Sequence, residues 1–323
     1  MAYNSLIDRT GATALIPEVA SREIMQSMVD SGWLLSLARR LPDMTTAQTR
    51  LPVLSSLPVA YFVNGDTGLK QTSEAAWENK YIDAEEVAVI VPIPEAVIAD
   101  ASYDIWAEIR PLIVNAFNIA ITKAVLYGTN IPTNWTTNLG AAGLVAFCLA
   151  ESNYASLASF TDPYEAILGE SSDGAGDGLV SLVEADGYTV TGHVATTGFR
   201  ATLRNTRSTE GVPIFNRIPS EKAVYELDGV PCIFPADGSI SSTYKLISGQ
   251  WDQLVYAMRQ DITYRMLTEG VISDAAGNIV YNLPQQDMVA LRAVMRIGFA
   301  LPNPINYMNE TEATRCPFAY LSA

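Results

Sequence analysis

Hydrophobic and polar positions alternate with a two-residue period from Gln286 to Leu301, QDMVALRAVMRIGFAL. Val289, Leu291, Ala293, Met295, Ile297, Phe299 and Leu301 fall on one side, and Ala290, Arg292, Val294, Arg296, Gly298 and Ala300 on the other, as a strand requires. The first side is apolar and predicts a core face. The second carries two arginines and predicts a face that meets solvent or another chain. A Pro-rich exit, NPINYM, closes the run.

A helical period governs Ile105, Ile109, Leu112, Ile113, Ala116, Phe117, Ala120, Ile121, Ala124 and Val125. It predicts a helix over 102–127, roughly 39 Å long at about 1.5 Å per residue, stopped by Gly128. Pro111 removes one amide donor and crowds the Ala107 carbonyl, which predicts a kink or a short separate first segment. Upstream, 86–101 reads as a strand in which Pro92 and Pro94 share one face, so that strand must be an edge or be bulged.

From Arg50 to about Glu86, short β-prone runs lie between Pro, Gly, Ser and Thr, and Asn64-Gly65-Asp66 is a hairpin-type turn signal. The pattern predicts a long two-stranded ribbon. Such a ribbon is marginal in water by itself, so it is expected to lie against something, in a self-assembling protein a neighbouring subunit. Ahead of it, residues 1–45 read as an arm with a helical pattern from Pro17 to Val29, a break at Gly32 and a resumption at Trp33, Leu34 and Leu37. Residues 135–250 mix short helices (163–168, 179–185, 198–204) with short strands (189–194, 212–215, 230–234), which predicts a compact α+β or α/β lobe. Sheet patterns return at 253–267 and, after the Ala276-Gly277-Asn278 turn, in the opening strand, so one sheet is expected from distant segments.

A chain of 323 residues exceeds the usual size of one core and predicts two or more lobes. No run reaches the roughly 18 uninterrupted apolar positions of a membrane-spanning helix. The start lacks the cationic-then-apolar pattern of a secretory signal, and the expectation is a chain made and kept in the cytoplasm. Thirty-five acids against twenty bases give a net charge of −15, which argues against gripping nucleic acid through phosphate contacts. No Lys or Arg occurs between Lys123 and Arg200, where Glu151, Asp162, Glu165, Glu170, Asp173, Asp177, Glu184 and Asp186 all lie. Cys148, Cys232 and Cys316 match no metal-ligand spacing and leave an odd thiol if two are bridged, so they read as reduced structural thiols.

Chemical motifs are sparse. Gly65 to Thr72 resembles a phosphate loop, but Lys70 does not follow the last glycine and no strand-to-helix junction frames it. Asp173 to Glu184 follows the calcium-loop template, yet Ala175 stands where an oxygen ligand belongs, and a loop with Asp177 or a neighbour capping the next helix is the plainer reading. His193 is the single histidine; with no nearby nucleophile it reads as a packed or hydrogen-bonded imidazole. Arg200, Arg204 and Arg207 fall at helical offsets and read as a solvated face or an intersubunit salt-bridge comb, less often as an anion site. An acidic hydrolase in the middle lobe has no recognisable nucleophile, acid pair or metal set.

Taken in order, PEVASREIMQSMVDSGWLLSLARRLPD, then EEVAVIVPIPEAVIADASYDIWAEIRPLIVNAFNIAITKAVLYG, then LVYAMRQDITYRML and ALRAVMRIGFALPNP resemble the major capsid proteins of tailed bacteriophages across essentially the whole chain. The resemblance implies an α+β fold. Its parts are an N-terminal arm (1–48), an extended β-hairpin loop (49–85), a peripheral domain (86–134 and 251–301) with a spine helix at 102–127, and an axial domain (135–250 and 302–323). It further implies pentamers and hexamers closing an icosahedral shell around double-stranded DNA without sequence-specific binding, assembled in the bacterial host cytoplasm.

Gly65, Asp66, Lys70 and Trp77 on the ribbon, Arg200, Arg204 and Arg207 on the axial domain, and Arg292 and Arg296 on the long strand are the assembly residues this picture points to. A portal protein, a possible decoration protein and, because the arm begins almost at Met1, a separate scaffolding protein are the implied partners. No cofactor, metal, catalytic residue or membrane enters. Lys70 lies where a covalent cross-link donor stands in some members, although no acceptor and acid can be matched to it. A phage-derived cellular nanocompartment of the encapsulin kind is the alternative within the fold.

Overall fold

The computed structural model describes residues 32–63, 68–101, 104–160, 162–169, 177–206, 217–218, 224–274 and 276–323. The chain runs through α1 (Trp33–Leu37), β1 (Arg39–Arg40), β2 (Gln48–Ser56), β3 (Ala76–Pro94), α2 (Glu95–Asp100), α3 (Ile105–Tyr127), α4 (Thr133–Asn138) and α5 (Leu144–Ala150). It continues through β4 (Tyr154–Ser156), α6 (Pro163–Leu168), α7 (Leu179–Ala185), β5 (Gly192–Ala195), α8 (Phe199–Asn205), β6 (Arg217–Ile218), β7 (Val224–Leu227) and β8 (Val230–Ile233). Strands β9 (Tyr244–Gly249), β10 (Val255–Leu267), β11 (Val271–Ser273), β12 (Ile279–Asn282), β13 (Met288–Ala300) and β14 (Phe318–Ser322) complete it.

Distant segments do build one sheet, in the order β1-β10-β13-β3-β2, with β13 antiparallel to both β10 and β3. The apolar face of β13 is buried throughout: Leu291, Ala293, Met295, Ile297 and Phe299 are at most 4% exposed. It shares one core cluster with Ile113, Phe117, Ile121, Val125 and Leu126 of α3. Helix α3 is fixed at both ends. The Asp104 carboxylate accepts from the Trp106 and Ala107 amides at 3.0 and 3.3 Å, which satisfies two orphan donors. Gly128 closes the helix at φ +67°, and a Cβ there would stand 2.2 Å from the Ala142 carbonyl oxygen, so only glycine fits.

Two elements differ from the pattern expected. The strand expected over 86–101 ends at Pro94, and Glu95–Asp100 is a separate helical turn: Pro94 is its N-cap, with an extended backbone at φ −63° that serves both the end of the strand and the entry to the helix. Helix α3 then runs unbroken through Pro111 for 23 residues, about 35 Å; the short separate segment lies before it. By length and apolarity α3 could cross a bilayer, but its most apolar face is consumed by the sheet.

Pro92 and Pro94 occupy an edge. Strand β2 pairs with β3 only as far as Asp83, and the Ala84 amide donates to Ala47 O at 2.8 Å. By the strand period, Glu86, Ala88, Ile90, Pro92 and Pro94 therefore turn their backbone to the side that β2 has left. Proline loses no ladder bond there.

The second sheet runs β4-β14-β9-β5-β8-β7-β6 and carries α6, α7 and α8 over a second apolar cluster that includes Ile167, Leu179, Val183, Phe199, Leu246 and Leu321. The expected helices 163–168 and 179–185 form as read, and the third is Phe199–Asn205. Gly178, with no side-chain cap, precedes α7, so Asp177 does not cap it. The expected strand 212–215 lies outside the described residues, as does the helical pattern from Pro17 to Val29. Trp33 and Leu34 of α1 are buried, and β1 pairs with β10; the end of the segment read as an arm is thus built into the core.

Trp251 joins the two sheets. Its ring meets Trp33 at 6.0 Å and Phe318 at 5.2 Å, and its indole N–H donates to Gly192 O at 3.0 Å. A buried polar seam completes the joint. Arg315, 2% exposed, donates to Asn303 Oδ1, Asn303 O and Asn309 O at 3.2, 2.7 and 2.9 Å. Asp186 accepts from Asn153 Nδ2, the Cys316 amide and Asn309 Nδ2 at 2.8, 2.9 and 2.9 Å. Each buried charge is thus satisfied by hydrogen bonds rather than by an opposite charge.

His193 in β5 is fully buried and its Nδ1 lies 2.7 Å from Ser248 Oγ, the packed imidazole that its setting suggested. Burial pulls its pKa down from 6.5 to about 4. Above pH 6.5 neither state is charged and stability is unaffected. As pH falls toward 4 the unfolded chain takes up the proton first, and about 3 kcal/mol is lost. Urea midpoints at pH 7 and pH 5 should show about 2 kcal/mol of this loss, the remainder appearing below pH 5, and His193→Gln should flatten it; an unchanged slope in the variant assigns the acid sensitivity elsewhere. Phe299→Ala, emptying the space between Trp135 and Tyr256, should cost about 3–5 kcal/mol in the same assay.

Candidate assembly interface

Strand β3 belongs to two structures at once. Its second half, from Ala84 to Pro94, pairs with β13 inside the sheet; its first half, from Ala76 to Asp83, pairs with β2 as the base of the ribbon. One continuous strand therefore aims the ribbon from the core. The base is clamped further by Lys80 Nζ on Glu312 Oε1 at 2.6 Å and by the Ile305 amide on Leu54 O at 3.2 Å.

Beyond Ser56 the ladder stops. The two limbs are held by the Val59 amide donating to Ser73 Oγ and Tyr61 Oη–H donating to Gln71 O, both at 2.7 Å. The ribbon is thus shorter as a ladder than the sequence suggested, because Leu57-Pro58 and the polar return limb do not pair. Gly65 and Asp66 lie outside the described residues. Lys70 is exposed, and Trp77 is 68% exposed opposite Leu54. Their neighbours Phe62 and Leu69, which sequence reading passed over, are 105% and 90% exposed. Apolar side chains held fully in water on a projecting element are the usual mark of an interaction surface.

The polar face of β13 is the second surface. Arg292 lies directly opposite Arg265 of β10, and Arg296 opposite Gln260, with Arg259 in the adjoining bulge. Arg259 and Arg265 went unnoticed in the sequence, where bulges break the alternation of β10. Among the described residues no carboxylate comes within ion-pair distance of these four, although Glu86 faces Arg296 across the strand pair. Arg292 Nε, Arg296 Nε and Arg259 Nη1 are buried without a hydrogen-bond partner. Like charges set opposite each other across a ladder are destabilising, and on a chain of net charge −15 the strip stands out as an unneutralised cationic face.

The third is a small hairpin of β11 and β12, whose Val271, Ile279 and Val280 are 53%, 64% and 47% exposed. Its turn is held by Asp274, which accepts from the Ala276 and Asn278 amides and from Asn278 Nδ2 at 2.9, 2.8 and 3.1 Å; the bonds from Asn278 hold its carboxyl below the usual range.

The arginines of α8 behave differently. Arg200 lies 4.6 Å over the Tyr225 ring and 5.8 Å from Phe234, and Arg204 donates to Tyr225 Oη at 3.3 Å. Both are drawn onto one aromatic pair of their own lobe, a geometry that cation–π attraction favours. Arg207 lies outside the described residues. No cluster of metal-binding side chains occurs among the described residues, and Asp173 of the calcium-like loop lies outside them.

A subunit whose core aims an exposed apolar ribbon outward, with unpaired cations on its sheet, belongs to the class of self-assembling shell proteins. Residues 12–308 match the Phage capsid family, and the chain belongs to that family. It is 24% identical over 283 residues, 85% of this chain and 78% of the relative, to the major capsid protein of Staphylococcus phage 80alpha. Solved structures from Microbacterium phage Oxtober96 (TM-score 0.81, 29% identity, 98% and 99% of the two chains) and Mycobacterium phage Bobi (0.78, 27%, 98% and 99%) share the fold. Its function is that of a phage major capsid protein, a structural subunit of the virion shell, and the cellular-nanocompartment alternative is not favoured.

Replacing both Arg292 and Arg296 with Glu should leave the far-ultraviolet circular dichroism of the subunit unchanged while sharply reducing regular particles counted by electron microscopy. Undiminished particles would mean that the strip is only solvated.

Proposed function

We propose that copies of this chain associate as pentamers and hexamers that close an icosahedral shell around double-stranded DNA. The observation that carries this reading is the ribbon: Phe62, Leu69 and Trp77 are exposed on an element whose direction β3 fixes. In this reading the ribbon lies over an adjacent subunit, and the cationic face around Arg292 and Arg296 is a second contact surface. The axial lobes meet around the capsomer axis. Each contact is modest, and many heterologous contacts that close on themselves make the particle stable.

The acidic character of the subunit suits a container, since a surface repelled by phosphate does not trap its contents. The shell then holds DNA without reading its sequence. Portal, scaffolding and decoration proteins are the partners that such a shell calls for, with assembly in the host cytoplasm.

Expressed full-length protein, with and without a scaffolding protein, should give capsomers or megadalton particles by size-exclusion chromatography and negative-stain imaging; a small oligomer under both conditions contradicts the proposal. Deleting residues 60–75 should leave a folded subunit and abolish regular shells, and normal shells from the deletion would remove the ribbon from its assigned role.

A further inference from the structure

Two of the three cysteines, far apart in sequence, meet in the core. Cys148 Sγ on α5 lies 3.7 Å from Cys316 Sγ, just before β14, across a sequence separation of 168 residues. Both are buried, at 1% and 0% exposure. Both thiols donate to the same acceptor, Phe318 O, at 3.4 and 3.0 Å. Their backbones are tied to one residue: the Asn153 amide donates to Cys148 O at 2.8 Å and its Nδ2 to Cys316 O at 3.4 Å, while the Cys316 amide is held by Asp186 at 2.9 Å. The main chain of each cysteine is therefore held in place by hydrogen bonds from Asn153 and Asp186. Closing the sulfurs to about 2.0 Å is left to side-chain torsions.

We propose that Cys148 and Cys316 are a latent disulfide pair, which an oxidising small-molecule disulfide converts to an intrachain bond that fastens the C-terminal segment to α5. The two thiols lose two protons and two electrons; the small-molecule disulfide accepts them and leaves as two free thiols. One protein S–S bond forms and one small-molecule S–S bond breaks. The pair stays reduced in a reducing compartment and closes outside it. Burial raises the Cys316 thiol well above its ordinary range, so little thiolate exists at neutral pH and closure is slow, accelerating as pH rises. Cys232 is the internal control: it is buried with no cysteine beside it, its thiol pushed up to about 12 by burial, and it stays free.

The bond would close a very long loop around the joint of the two sheets. That class of cross-link restricts the unfolded chain most.

The test incubates full-length wild-type protein with oxidised glutathione at pH 8.5, alkylates it after denaturation and maps unreduced peptides by mass spectrometry. The expected result is a Cys148–Cys316 peptide pair within one chain, a loss of two hydrogens, an alkylated Cys232 and a higher thermal midpoint that a reductant reverses. C232S should keep the link, and C148S and C316S should each abolish it. Three free thiols after prolonged oxidation, a glutathione adduct in place of the link, or bonds through Cys232 or between chains would each overturn the proposal. The wild-type map decides the matter even where a serine variant folds poorly.

Discussion

The burial of one face of β13 against α3 is the constraint on which the rest of the molecule depends. Leu291, Ala293, Met295, Ile297 and Phe299 alternate with a period of two, while Ile113, Phe117, Ile121 and Val125 recur with a helical period, and the two patterns meet in one interface. A slip of β13 by a single residue would bring Arg292 and Arg296 into that interface and expel the apolar set. Register is therefore not free, and because β3 is paired to β13 residue by residue from Ala84 to Pro94, neither is the direction of the ribbon that β3 continues.

Joining the second lobe to this frame takes different chemistry. Trp251 packs between Trp33 and Phe318, and beside it the segment from Asn303 to Cys316 is held by amide groups rather than ion pairs. Arg315 and Asp186 each find three hydrogen bonds to Asn side chains and to the main chain. A buried charge satisfied in this way specifies one arrangement, since every alternative leaves a charged group unpaired. The seam thereby places Cys316 beside Cys148 and Glu312 beside Lys80.

What the subunit leaves exposed or unpaired at its surface has one theme. Phe62, Leu69 and Trp77 on the ribbon and the valines and isoleucine of the β11–β12 hairpin stand in water, and Arg259, Arg292 and Arg296 of the sheet each keep a nitrogen without a hydrogen-bond partner. A monomer of this shape keeps apolar surface in water and like charges side by side. Membership of the phage capsid family gives these features a common cause, because a shell subunit completes its burial with copies of itself.

Local periodicity determined much by itself: the faces of β13, the body of α3 with its Gly128 stop, the restriction of Pro92 and Pro94 to an edge or a bulge, and most short helices of the second lobe. Each depends on side chains a few residues apart, whose geometry the backbone repeat dictates. The ends of elements were harder to read, as at Glu95–Asp100, where Pro94 fits a strand end and a helix start equally well. The arginines at 259 and 265 stayed hidden because two bulges shift their register, and Phe62 and Leu69 because an exposed apolar residue has the same sequence signature as a buried one. Only the tertiary structure decided which arginines line one face, that Arg200 rests on Tyr225 within its own lobe, and that Cys148 and Cys316 meet. These are contacts between segments far apart in the chain, and no local repeat encodes the distance between them.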